Sequence, residues 1–173
     1  MTRAGLQRPP AVDSTVEAST RDVPRLLWWS QRGYWYGVRH GGVRGRLLSL
    51  FIAITWWPAL PVAVALQAHL VARPHARYYL SPERVAVIAV VATREGWHIE
   101  DHIAARPGTG QGAALRALVL PRLLDHADAE QITIHTTAAN ETLAARYASE
   151  LPGLRDVGRG RPRGRRMRRD PAK

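Results

Sequence analysis

A chain of 173 residues has the length of one domain, and the absence of cysteine excludes disulfides, thiol nucleophiles and cysteine-based zinc sites. The net charge is +11, from 25 basic residues, of which all but Lys173 are arginine, and 14 acidic ones. Residues 155–173 hold nine of the basic residues and two acidic ones, so the charge is unevenly spread, and the stretch around residues 106–113 is much closer to neutral.

Residues 1–21 are polar, contain Pro9-Pro10 and lack an apolar period, which predicts a disordered arm. No apolar stretch follows the first charges closely enough for a signal peptide. Residues 22–46 bring Leu26-Leu27-Trp28-Trp29 and Tyr34-Trp35-Tyr36 among Arg25 and Arg32. Such a mixture suits an anionic membrane surface, where rings sit at headgroup depth, and suits equally an amphipathic helix packed on its own domain. A glycine and arginine connector then leads to residues 47–72, which carry no formal charge apart from the titratable His69. As one helix this run would be about 39 Å long, enough to cross about 30 Å of hydrocarbon. Pro58 and Pro61 interrupt it near the middle, so a transmembrane span, a re-entrant hairpin and a buried pair of elements all remain open. Arg39, Arg44 and Arg46 on one flank, against Arg73 and Arg77 on the other, favour a cytoplasmic N-terminal side at the inner face of the membrane.

Tyr78-Tyr79-Leu80 is a short strand, and the β-branched run from Val85 to Thr93 is a strand covered on both faces. Arg94-Glu95-Gly96 turns the chain, and Trp97 to Ala105 returns as the second arm of an antiparallel hairpin. Alternation places Trp97, Ile99, Asp101 and Ile103 on one face and His98, Glu100 and His102 on the other. On a strand His98 and His102 stand about 13 Å apart, which excludes a shared metal ion. Next comes Arg106-Pro107-Gly108-Thr109-Gly110-Gln111-Gly112-Ala113, opening onto a helical pattern. Glycines admit positive φ and close approach, and the first amides of the helix point outward with the positive end of its dipole, so the segment is a pyrophosphate cradle. Its G-x-G-x-G spacing is not the dinucleotide fingerprint, and no Gly-Lys-Ser/Thr follows. Gln131 to Thr136 is a further strand, followed by Asn140 and, seven residues on, Tyr147 within a helical pattern. Residues 158–173 are arginine with glycine and proline, which predicts a disordered tail for anionic lipid, nucleic acid or solvent.

The strand, glycine loop and helix, followed by the Asn140 and Tyr147 pair, resemble the GNAT acyltransferase superfamily from Val85 to Leu154. Its coenzyme A loop reads Arg/Gln-x-x-Gly-x-Gly/Ala. Gly110 and Gly112 fall on the small positions, Pro107 stands where the family has Arg or Gln, and Arg106 lies one place early. The turn Leu151-Pro152-Gly153-Leu154 comes about two residues late and lacks the family's aromatic. The resemblance implies an α/β fold with a mixed sheet and flanking helices, confined here to residues 77–157 and N-terminally truncated. It implies transfer of an acetyl or other acyl group from acetyl-coenzyme A to an amine. Arg106, Gly108, Thr109, Gly110, Gln111, Gly112, Ala113 and Asn140 would hold the coenzyme. Glu100 or His102 would be the base, with Glu100 preferred because the family often uses a carboxylate on this strand, and Tyr147 would return a proton to the thiolate. Two other readings stand beside it: a non-catalytic membrane-associated protein with a degenerate fold, and a nucleic-acid-binding module using the arginine tail.

Overall fold

A computed structural model describes residues 7–160 and 164–172. Strands β1 (Val16–Glu17), β2 (Ala76–Leu80), β3 (Ala86–Thr93), β4 (Gly96–Ala104), β5 (Ile134–Ala138), β6 (Arg155–Arg159) and β7 (Arg165–Arg169) form a sheet ordered β1-β2-β3-β4-β5-β7-β6 among the described residues. Every neighbouring pair is antiparallel except β4 with β5. Helices α1 (Val23–His40), α2 (Val43–Thr55) and α3 (Leu60–Val71) lie on one side, and α4 (Gln111–Ala129) and α5 (Glu141–Glu150) on the other.

The sheet is central because β3 is apolar on both faces. Ile88 and Val90 pack with Leu115, Val119 and Leu123 of α4, while Val87, Ala89 and Val91 pack with Leu26 and Trp29 of α1. Each fully buried valine, isoleucine or leucine contributes about 1.5–3 kcal/mol, so α1 and α4 are fixed independently, one on each face. Trp97 begins β4 fully buried, and its indole N–H donates to the Gln7 carbonyl at 2.7 Å.

That bond corrects the expectation of a disordered arm over its described part. Tyr79 donates to the Pro10 carbonyl at 2.7 Å, and β1 pairs Val16 with Leu80. The segment is held by backbone groups that satisfy buried aromatic donors, a role its polar composition does not reveal. Residues 1–6 lie outside the described residues. The expectation of a disordered tail is likewise corrected from Gly164 to Ala172. There β7 enters between β5 and β6 with Met167 buried, and Arg169 donates to both oxygens of Asp128 at 2.7 and 2.6 Å. Alternating arginines reach carboxylates at the strand edges while the backbone completes the ladder; residues 161–163 and 173 lie outside the described residues.

The apolar run from Leu47 to Ala72 is not one helix. It is α2 and α3, bent by 101° at a break where Pro58 sits in the turn and Pro61 in the first turn of α3. No single helix among the described residues is long and apolar enough to cross a membrane. The pair is buried only in part: α2 buries Ser49 and Ala53, whereas α3 has no buried residue and packs on the core through Leu70 and Val71. With α1 and α2 covering one face and β1 and β2 extending the sheet, the expected N-terminal truncation is also corrected: those elements are present, in a sequence whose aromatic and apolar bias masks them.

Candidate functional site

The parallel strands β4 and β5 are joined only at their beginnings, through Trp97–Ile134, His98–His135 and Ile99–Thr136. Beyond Ile99, β4 runs on to Ala104 with no partner on that side among the described residues, while β5 stays paired with β7 as far as Ala138. The strands therefore part. At the fork the Thr136 hydroxyl donates to the Ile99 carbonyl at 3.2 Å, replacing the ladder bond that the separation removes. The gap is a pocket of about 90 Å³ lined by Glu100, His102, Arg116, Thr136, Thr137 and Tyr147 among apolar side chains.

A β-bulge re-aims the side chains around this gap. Ala89 pairs with Glu100 and Val87 with Ile103, so β4 spends one residue more than β3 over this interval. Before the bulge, Trp97 and Ile99 face α4, and His98 and Glu100 face the α1 side. After it, Ile103 packs on the α1 side and Ala104 toward α4, and His102 meets Arg116 of α4. The expected grouping of His98, Glu100 and His102 on one face is thus corrected. Glu100 and His102 border the same pocket from opposite sides of the sheet.

At the end of β4 the chain enters the glycine loop, which closes on itself. The Arg106 N–H donates to Gln111 Oε1 at 3.0 Å, and the Thr109 hydroxyl donates to the Arg106 carbonyl at 2.8 Å. Gly110 is the residue that caps α4, at φ 85°, where a Cβ would be strained. Gly112 has a different reason: a Cβ there would lie 2.8 Å from His102 Nε2. The N–H groups of Gly110, Gln111, Gly112 and Ala113 have no acceptor among the described residues, and the first intrahelical bond in this turn is made by Ala114 to Gly110. Four free amides thus stand at the positive end of a 19-residue helix, the arrangement that favours an anion. Arg106 points elsewhere, lining a pocket with Arg32, Tyr36, Arg39 and Pro107. Asn140 stands at the head of α5 and accepts from the Leu143 N–H at 2.8 Å, an N-cap that leaves its amide NH₂ available.

Within the gap, electrostatics separates the candidates for base and acid. Glu100 accepts from His98 Nδ1 at 3.1 Å, and this bond holds its carboxyl below the usual range against the opposing pull of partial burial. It is ionised at neutral pH. His102 is pushed down to about 4, first by burial and then by the Arg116 guanidinium. Its Nε2 lies 3.1 Å from the Gly112 carbonyl, an acceptor that calls for a proton on Nε2, and one Arg116 nitrogen lies 2.8 Å from Nδ1 and 2.9 Å from Nε2. His102 is therefore a poor base. Burial raises the phenol of Tyr147, with Arg116 opposing, so the proton stays on its oxygen. Arg116 is itself buried, held by both oxygens of Glu150, with its guanidinium carbon 5.5 Å from the centre of the Tyr147 ring.

Glu100 and Tyr147 thus border one cavity, and the free amides from Gly110 to Ala113 open the helix that brings Arg116 to it. Arg116, Glu150 and Thr136 were not singled out by the sequence. An arginine on the inward stripe of α4, one residue after Leu115 and three before Val119, was the available signal.

No protein-family model matches the chain, and no curated protein sequence matches it. Solved structures do. An acetyltransferase from Thermus thermophilus is 16% identical and superposes with a TM-score of 0.59 over 95% of this chain and 99% of its own. The PaiA N-acetyltransferase of Thermoplasma acidophilum, solved in complex with coenzyme A, is 6% identical, with a TM-score of 0.62 over 93% of this chain and 99% of its own. The aminoglycoside acetyltransferase AAC(6')-Ib, in complex with coenzyme A and kanamycin, is 18% identical, with a TM-score of 0.55 over 91% and 94%. At these identities the likeness is one of fold. The chain has the fold of the GNAT acetyltransferases over nearly its whole length, not over its C-terminal half alone.

Proposed function

We propose that the protein transfers an acetyl or other acyl group from its coenzyme A thioester to an amine. The observation that carries this reading is the fork between β4 and β5, with an ionised carboxylate and a protonated phenol on its walls and unclaimed amides opening the helix that brings Arg116 to it. A thioester whose pyrophosphate met those amides would run its pantetheine arm along the unpaired edge of β4, which offers backbone donors and acceptors to its amides. The residues fit such a co-substrate, because Gly110 and Gly112 leave the cradle free of side chains. The remaining coenzyme contacts we assign are Gly108, Thr109, Gln111, Ala113 and the free amide of Asn140; Arg106, turned into the pocket with Arg32 and Arg39, leaves that set.

The amine attacks the thioester carbonyl, the new C–N bond forms, and the C–S bond breaks. Glu100 takes the amine's proton directly or through a water, and His98 holds the carboxylate in position for it. Tyr147 gives its proton to the departing thiolate and recovers one from solvent. Its burial keeps it protonated until that moment, and Arg116 then stabilises the phenolate it becomes. An acetyl-coenzyme A donor implies a cytoplasmic reaction. The acceptor is an amine whose chemical class the site leaves open.

Two observations favour this reading over its rivals. The N-terminal elements, whose absence would have marked a degenerate fold, are present. The C-terminal arginines are largely engaged within the sheet, Arg155 and Arg168 with Asp170, Arg165 with Asp156, and Arg169 with Asp128, which lowers the free charge available to a nucleic acid. The test is to incubate the folded protein with acetyl-coenzyme A and a panel of polyamines, aminoglycosides, amino acids and peptides, following free thiol. Thiol release that requires one class of amine supports transfer. Release no faster than spontaneous hydrolysis with every amine overturns it.

A further inference from the structure

The α1–α3 layer carries an outward surface that the other described residues leave uncovered. α3 is apolar along its length yet has no buried residue, with Val62 70% and Leu66 55% exposed. Phe51 on α2 is 64% exposed and Trp57 in the turn 60%, beside Leu47 and Ile54. Helices this apolar ordinarily lie inside a core or a membrane. Beside them, α1 turns Leu26 and Trp29 onto the sheet and leaves Arg25, Trp28, Arg32, Trp35 and Arg39 on one outward stripe, at helical spacings of three and four.

The charge of this layer has one sign. Between Asp22 and Glu83 the sequence contains no acidic residue, while arginine stands at 25, 32, 39, 44, 46, 73 and 77. Arg32, Arg39 and Arg106 converge with Trp35, Tyr36 and His40 on a pocket of about 370 Å³, and none of the three has a carboxylate partner among the described residues. An apolar ridge bordered by aromatic rings and unpaired guanidiniums is complementary to an anionic bilayer surface, with acyl chains below and phosphates above.

We propose that this face docks the protein in the plane of an anionic lipid bilayer, with the α2–α3 hairpin at the acyl boundary, the α1 arginines on the phosphates, and one headgroup phosphate in the Arg32, Arg39 and Arg106 pocket. The hairpin does not span: α2 and α3 are about 20 and 18 Å long and bent by 101°, against about 30 Å of hydrocarbon. A second copy is the poorer occupant, because in a two-fold dimer the face meets itself, arginine against arginine with no carboxylate to offset them. The inference does not depend on the acyl-transfer reading, and its test uses no substrate.

The full-length protein is sedimented with phosphatidylcholine vesicles and with vesicles that also contain phosphatidylglycerol. It is expected to pellet with the second kind and to be released by salt. Two pairs of exposed substitutions, Arg32→Gln with Arg39→Gln and Phe51→Glu with Val62→Glu, each weaken binding by about tenfold or more. Circular dichroism establishes that each variant is folded, and the arginine pair decides the matter if the glutamate pair is not. Recovery in the supernatant with both vesicles overturns the proposal, as does binding of the arginine pair equal to wild type. A dimer in light scattering that the Phe51 and Val62 pair splits, without vesicle binding by wild type, assigns the face to a second copy and overturns it too.

Discussion

His102 makes stability depend on pH in a calculable way. In the unfolded chain an imidazole takes up a proton near 6.5; in the folded protein burial and the Arg116 guanidinium hold that event down to about 4. Between these values the unfolded state binds the proton and the folded state does not. Stability is therefore fully present above 6.5, falls as the pH is lowered, and levels off near 4. At about 1.4 kcal/mol per pH unit the fall attributable to this one side chain is about 3 kcal/mol. The measurement is urea unfolding at a series of pH values for wild type and His102→Gln, whose amide can still donate to the Gly112 carbonyl but does not titrate. Carboxylates elsewhere affect both proteins alike, so the difference between the two curves isolates the histidine. A difference that grows by about 3 kcal/mol in favour of the variant as the pH falls from 6.5 to 4 is the expected result. Parallel curves would refute the assignment of a neutral, buried imidazole beneath the glycine loop.

Tyr147→Phe should lower kcat by about a hundredfold while leaving acetyl-coenzyme A affinity unchanged, as single-turnover thiol release and titration would show; an unaltered kcat removes the phenol from the reaction. Glu100→Gln should slow transfer to strongly basic amines by about a hundredfold. Equal loss with an amine already deprotonated at the assay pH would make Glu100 a structural residue. Gly112→Val should raise the Kd for coenzyme A about tenfold or more, because its side chain would displace His102 or project into the cradle; unchanged binding in a folded variant would put the nucleotide elsewhere. Arg169→Met leaves the Pro152 carbonyl without its donor and Asp128 with the Ala172 N–H alone, at the junction of β7 and α4. A loss of about 2–3 kcal/mol in urea unfolding is expected, and a change below about 0.5 kcal/mol would mean that the tail is held by its strand pairing alone.

The parts of the molecule that were legible in the sequence are those whose pattern is local. Val85 to Thr93 announced a strand covered on both sides, the glycines a loop that opens a helix, and Asn140 a turn into a helix that carries Tyr147 inward. What escaped depends on distant partners. Gln7 and Pro10 are ordered because Trp97 and Tyr79 need acceptors, and no composition rule for an N-terminal arm contains that information. Met167 is one apolar residue in an arginine run, yet it suffices to insert β7 once β5 and β6 leave a space between them. The bulge after Glu100 is the most consequential omission. Strict alternation cannot signal an inserted residue, so it joined Glu100 and His102 on one face when the chain sets them on opposite faces of the same gap. Pro58 and Pro61 did mark the break in the apolar run, while the exposure of both resulting helices is a tertiary property.

If the protein is an acyltransferase of the kind proposed, the first amides of α4 hold the pyrophosphate of a coenzyme A thioester. Amide nuclear magnetic resonance during titration with coenzyme A reads this directly, since each N–H reports for itself. Gly110, Gln111, Gly112 and Ala113 are expected to move together, downfield and saturably, along with residues on the unpaired edge of β4. Saturable binding whose shifts fall elsewhere, or a folded protein whose amides do not move at all, would contradict it.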